Sequence, residues 1–345
     1  MRAPVFTDLK TIEFREKPKP EIGPGEVLVK VELCGICGSD VHGYLNGIMI
    51  APGTVMGHEA VGVVSEVGSG VEGFQPGDRV AVKPIAQCGA CYWCRRGQYS
   101  LCPEAFVRAI GLTPAHDGAF AQYVRLKYPK EMLFKLPDEV SFEQAALIEP
   151  LATSLHAVRL SRFKPGDKVV VTGAGMIGLG VLQFLRLGGA GRIIVLEVSE
   201  AKAGLALDLG ADVALDPRVE GEGLAGKVLS LCDGVGADIV FECAGVPDSF
   251  YQSVFLGKSG GQVMIVGIND RDVPFNCFML VLREIEMKGA LGYYEEFHQV
   301  IDFLAKGRLR TGPLISDIIP LAEIEDRGFK RLLDTRDLVK ILVRP

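Results

Sequence analysis

Apolar positions follow two rhythms along this chain. In the first part, short runs divided by Gly/Pro turns predict β-strands at Glu26–Leu33, Glu59–Val67, Arg79–Val82 and Ala119–Val124, with GPGE, QPGD and HDGA between or beside them. The run GHEAVGVVSEVGSGV interleaves small and β-branched residues, as a tightly curved sheet or small barrel requires. From about residue 167 the rhythm changes. Lys168–Thr172, Arg192–Glu197, Asp238–Glu242 and Gln262–Gly267 are short apolar strands separated by helix-like segments, one of them Met176–Leu187. Such alternation predicts a parallel sheet buried on both faces. Helical patterns return at Glu295–Lys306 and Leu321–Leu333, before a strand at Val339–Val343. There is no internal repeat.

Composition narrows the class. With 345 residues, 48% of them hydrophobic, the chain can fill two cores. A net charge of −6 gives no electrostatic footprint for nucleic acid. The amino terminus has no apolar signal-peptide region, and no run reaches the length of a membrane helix, so a cytoplasmic protein without a membrane or nucleic-acid partner is expected. Nine cysteines kept reduced there suggest metal ligation before disulfides.

Gly173, Gly175 and Gly178 form G-x-G-x-x-G directly after a strand, with Met176 and Ile177 opening the helix that follows. The first glycine makes the turn, the second admits a pyrophosphate, and the third lets helix pack on strand. Phosphates then sit at a helix amino terminus. Glu197 ends the next strand, where a carboxylate can accept both ribose hydroxyls and repel a 2′-phosphate, so NAD is the expected cofactor. Lys202, on the following helix, is placed to approach the same ribose.

Two clusters point to metal. Cys88, Cys91, Cys94 and Cys102 can close a tetrahedron around Zn²⁺ with no open position, which defines a structural site. An iron–sulfur cluster competes, but the last gap is seven residues and no second cysteine cluster exists. The other cluster is dispersed: Cys34 and Cys37 follow one strand, and His58 with Glu59 opens another. A thiolate, an imidazole and a carboxylate could hold Zn²⁺ with one position left for substrate. Spacing alone does not choose between Cys34 and Cys37.

Nearly end to end, the chain resembles the zinc-containing medium-chain dehydrogenases, in particular their sorbitol, threonine and 2,3-butanediol dehydrogenase branch. The resemblance is carried by CGICGSDVH, GHEAVGVVSEVG, the four-cysteine lobe, IEPLATSLHA, GAGMIG and FKRLLDTRDLVKILV. It implies an α/β fold: a GroES-like β-rich catalytic domain (residues 1–151 and 290–345, zinc lobe 88–102) and a doubly wound Rossmann domain (152–289) for NAD, with the active site in the cleft between them. It implies Cys37 as the catalytic zinc ligand and Cys34 as packing. It further implies His58 as a ligand, Glu59 and Glu149 as carboxylates binding directly or through water, and Asp40 behind His58. Ser39 and His42 match the family's proton relay. Cofactor contacts are implied at Cys243–Gly245, including Ala244, and at Val266, Gly267 and Ile268. In the chemistry this implies, zinc polarises an alcohol oxygen while hydride passes to the nicotinamide.

Substrate clues are fewer. Animal sorbitol dehydrogenases carry an arginine near the position of Gly292, which removes a sugar-alcohol contact here, and GALGY looks more like butanediol dehydrogenases. The loop Gly43–Met49, with Tyr44, Leu45, Asn46 and Met49, is expected to line the substrate pocket. A small alcohol or polyol, and a homodimer or homotetramer, complete the expectation. A threonine-type dehydrogenase and a catalytically silent zinc-binding relative are the alternatives.

Overall fold

Close backbone approach at glycine and filling by valine shape the strands of the amino-terminal part. The computed structural model describes residues 1–345 and divides into two compact units. The first comprises Met1–Glu149, Tyr293–Arg336 and Lys340–Pro345; the second, Pro150–Gly292 and Asp337–Val339.

The first unit holds a seven-stranded sheet in the order Ile315–Pro320, Lys340–Arg344, Val27–Gly35, Glu59–Val67, Arg79–Val82 and Leu133–Lys135, with Tyr123–Leu126 paired to Val27–Gly35. All pairings are antiparallel except Ile315–Pro320 on Lys340–Arg344. The register of Val27–Gly35 on Glu59–Val67 shifts twice, and such bulges bend and twist the pair. This is the tight curvature the interleaved small residues predict. Val29, Leu33, Val61, Val64 and Val80 fill the interior. A smaller sheet joins Thr11–Glu16, Arg2–Asp8 and Thr54–Val55.

Two expectations are corrected here. The strand predicted at Ala119–Val124 begins at Tyr123. Ala119 and Phe120 instead donate their N–H groups to Gly57 and Met56, bracing the loop before His58. The helix predicted over Leu321–Leu333 is a 3₁₀ turn, a π-helix at Ile324–Lys330 and a short α-helix at Arg331–Asp334. Gly328 lies in the widened part, and a side-chain carbon there would meet Ile36 Cδ1 at 2.7 Å. Widening brings that backbone directly onto the sheet loop.

The second unit is a six-stranded parallel sheet in the order Val213–Leu215, Arg192–Leu196, Lys168–Thr172, Ala237–Glu242, Gly257–Ile265 and Glu286–Gly289. In chain order this is 3-2-1-4-5-6, the doubly wound arrangement, whose order reverses beside Lys168–Thr172. Val169, Val170, Val171, Ile193 and Ile194 are fully buried, as strands covered on both faces must be. The helix Met176–Leu187 buries Leu179, Val181, Leu182 and Leu185, each contributing about 1.5–3 kcal/mol. Gly257–Ile265 stops short of the predicted end, which leaves Val266–Ile268 as a loop at the sheet's carboxyl edge. No helix is long and apolar enough to cross a membrane.

Candidate active site

Cys37 ends the loop after Val27–Gly35 and caps the helix Gly38–Asn46, where the helix dipole favours an anion. Its N–H donates to Asp40 Oδ2 at 2.9 Å, which fixes both residues. Asp40 is fully buried, and its other oxygen lies 3.4 Å from His58 Nδ1. Neither of those two atoms completes a hydrogen bond. His58 Nε2 lies 3.4 Å from the Ser39 hydroxyl. Burial works against the imidazolium, but the Asp40 carboxylate and the adjacent Cys37 side chain outweigh it and hold the His58 pKa well above its ordinary value. Cys37 and His58 are therefore brought together, on the loops from which the sequence places them. Cys34 is not part of this group's chemistry: it is fully buried, and desolvation first, then Asp40 and Glu59, push its thiol well up. His42 is half-buried on the same helix as Ser39, one turn on.

Glu59 occupies a place made by a missing side chain. Gly35 is its register partner across the sheet, and a Cβ on Gly35 would lie 2.0 Å from Glu59 Oε2. Lys340, on the neighbouring strand, reaches both Glu59 oxygens at 2.7 Å and the Ile36 carbonyl at 2.9 Å. The pair is closed to solvent, with side-chain exposures of 3% and 0%. Burial opposes the charge on Lys340, yet Glu59 and Cys37 outweigh it and raise its pKa. Glu149 opens the helix Ile148–Leu160. Burial, followed by repulsion from Glu59, pushes it up to about 7, and it shares a hydrogen bond with the buried Tyr293.

Tyr44 is a correction. Expected on a loop, it lies on the helix Gly38–Asn46 and is buried, stacked on Phe329 at 4.9 Å with its hydroxyl donating to the Lys10 carbonyl.

The four-cysteine lobe is a zinc-binding site of structural type. All four sulfurs lie within 4.8 Å of one another. The Cys91–Cys94 and Cys88–Cys94 sulfur separations are 3.5 and 3.9 Å. A tetrahedron of Zn–S bonds of about 2.3 Å sets its sulfurs about 3.8 Å apart. Backbone N–H groups of Ala90 and Cys91 lower Cys88 to about 6, whereas burial raises Cys94 to about 12.

At the glycine turn the three positions differ in their surroundings. Gly173 has φ +82°. Nothing lies within 4 Å of a side-chain position on Gly175, and a Cβ on Gly178 would strike the Gly173 carbonyl at 1.9 Å. Met176 and Ile177 begin the helix. Glu197 is tied to the glycine turn and to the loop after its own strand. Its oxygens accept N–H groups of Ala174 (2.7 Å), Val198 (2.8 Å) and Ser199 (2.8 Å), with Lys202 Nζ at 3.5 Å. A carboxylate has about four acceptor sites. Three of them are taken by these N–H groups, and Glu197 keeps acceptor capacity beside the glycine turn. Ala244, Val266, Gly267 and Ile268 sit on the two loops at the carboxyl ends of Ala237–Glu242 and Gly257–Ile265.

Two family models match the chain. Residues 23–138 match the alcohol dehydrogenase GroES-like domain, and residues 177–306 match the zinc-binding dehydrogenase domain. The (R,R)-butanediol dehydrogenase of Bacillus subtilis is 36% identical over 357 residues, covering 100% of both chains. The chain belongs to the zinc-binding medium-chain dehydrogenase/reductase family. Sorbitol dehydrogenase of Ovis aries is 37% identical over 314 residues, 90% of this dehydrogenase and 87% of the relative. The crystal structure of 2R,3R-butanediol dehydrogenase from Bacillus subtilis superposes with a TM-score of 0.89 at 36% identity, covering 100% of this dehydrogenase and 99% of that chain. The protein is thus an oxidoreductase with a GroES-like domain, an NAD-binding Rossmann domain and a four-cysteine zinc site.

Sequence reasoning missed two residues of this dehydrogenase's buried group. Lys340 carried a usable signal, since a lysine inside the apolar strand LVKILV has to be paired when buried. Tyr293 carried none: its hydroxyl meets Glu149 only through folding.

Proposed function

We propose that this dehydrogenase moves a hydride between the carbinol carbon of a secondary alcohol, diol or polyol and NAD, at a zinc ion held by Cys37, His58 and a carboxylate. The observation that carries the reading is the buried group itself: the Cys37 side chain beside the His58 imidazole, with the Glu59 and Glu149 carboxylates near enough to act on their surroundings. The donor set suits zinc. The unfinished contact between Asp40 Oδ1 and His58 Nδ1 suits it too, because a ligand on Nε2 would orient the ring and complete the contact. Zinc bound there would act as a Lewis acid on the substrate oxygen.

The chain's own residues divide the remaining work. Asp40 orients His58. Lys340 holds Glu59 by both oxygens, which favours Glu149 as the third donor. Ser39 and His42 offer the departing proton an exit along one helix face. Glu197 places a negative charge where a 2′-phosphate would sit, which favours NAD over NADP. Glycine at position 292 and the likeness to butanediol dehydrogenase favour a vicinal diol over sorbitol.

The test is NAD reduction over a panel of secondary alcohols, diols, polyols and threonine, with and without chelator. Turnover is expected with a small diol and is expected to vanish when zinc is removed. Zinc-replete protein that turns over nothing in the panel would sink the reading.

A further inference from the structure

The sheet's carboxyl edge contains a buried carboxylate that the reaction itself does not use. Glu242 ends the strand Ala237–Glu242 and is 1% exposed. Its Oε1 accepts the N–H groups of Ala244 and Gly245, each at 3.0 Å, and lies 2.7 Å from the Ser249 hydroxyl and 3.4 Å from that of Thr172. All four are neutral donors. Its backbone carbonyl accepts from both Val266 and Gly267 at 2.8 Å. One residue therefore fastens the loop after its own strand and the loop after the next strand.

These loops have no slack. A Cβ on Gly267 would lie 2.4 Å from Gly245 N and 2.9 Å from Glu242 Oε2. A Cβ on Gly173, the first glycine of the phosphate turn, would lie 2.9 Å from Ala244 Cα. Glu242 is thus the internal post around which three cofactor-facing turns pack backbone to backbone. The sheet order assigns the cofactor's halves. Glu197 marks the adenosine side at Arg192–Leu196, the glycine turn takes the pyrophosphate, and the other half extends over Ala237–Glu242 and Gly257–Ile265.

We propose that Glu242 is a positioning residue for the nicotinamide half of NAD, its side chain acting through reach and not through charge by fixing the loop Cys243–Gly245, against which Val266–Gly267 packs. The inference rests on the reading of this edge as the cofactor site. Shortening the side chain withdraws the acceptor from Ala244 and Gly245 while keeping the charge; replacing it by the amide keeps the acceptor and removes the charge.

The experiment compares NADH with ADP-ribose, which lacks nicotinamide, on full-length zinc-replete protein. In Glu242→Asp the Kd for NADH is expected to rise about tenfold. ADP-ribose should stay within about twofold. Glu242→Gln should be less impaired than Glu242→Asp, and the KM for NAD should follow the Kd. Should the Asp chain not fold, Ser249→Ala, which frees the carboxylate from its shortest contact, is expected to give the same split between ligands. Equal loss of both ligands, loss of neither, or a Gln variant worse than the Asp variant overturns the proposal. Wild-type protein that binds neither ligand overturns the cofactor reading beneath it.

Discussion

The contact between Lys340 and Glu59 has the largest consequence of any single side-chain contact here. Breaking a buried pair by removing one partner costs about 3–5 kcal/mol, because the other charge stays buried. Lys340→Met should lower unfolding free energy by that amount in urea titrations, and Glu59→Gln in the same chain should restore much of it. A double-mutant cycle with no coupling would show that the pair is not buried as described. Glu149 gives a pH prediction whose sign is fixed by its shift from 4.5 to about 7. Between those values the folded chain holds a proton that the unfolded chain releases. The stability is present at acid pH and lost as pH rises to 7. Metal-stripped wild type should therefore weaken over that window relative to Glu149→Gln, and identical pH profiles would refute the shift. At this scale the sequence was partly legible. Cys37, His58, Glu59 and Glu149 could be named because the resemblance carries them, and the structure adds the reason Cys34 is set apart, namely full burial of its sulfur. Tyr44 was read as part of a loop because Gly43 and Gly47 flank it, whereas it lies on the helix Gly38–Asn46 and stacks on Phe329, far along the chain.

Among elements, the strands with β-branched runs were the most legible, since their burial on one or both faces is written into the residues themselves. Lys168–Thr172 and Glu59–Val67 fall where the pattern puts them. The π-helical Ile324–Lys330 was not legible, because its widening answers to Ile36, on the loop after Val27–Gly35, and not to its own spacing. The four-cysteine lobe gives the prediction for this scale. Its helical content is two 3₁₀ turns, so the metal supplies much of its order. Arg95 and Arg96 are exposed but held in a 3₁₀ turn, so Cys94→Ser, or prolonged chelation, should let trypsin cleave after them by loosening that turn, while the circular dichroism of the sheets stays near wild type. Resistance to cleavage after zinc loss would show that the lobe holds itself together.

For the whole molecule, the fold class was readable because two periodicities occupy separate stretches of chain, whereas the sheet order 3-2-1-4-5-6 is a property of packing that no stretch reports. NADH binding to the native state alone should add about 2.7 kcal/mol of stability at one hundred times its Kd. Thermal unfolding with and without NADH checks this, and no shift would show that the native state does not bind the cofactor. The reach of Lys340 to Glu59 has a last consequence. The two residues are 281 positions apart. During synthesis the ribosome exposes Glu59 and the strands around it long before the lysine that neutralises it. A nascent chain at that stage carries an uncompensated acid at its centre. The first unit should therefore mature only after the second has been translated, and chains arrested before residue 340 should be the ones that chaperones retain.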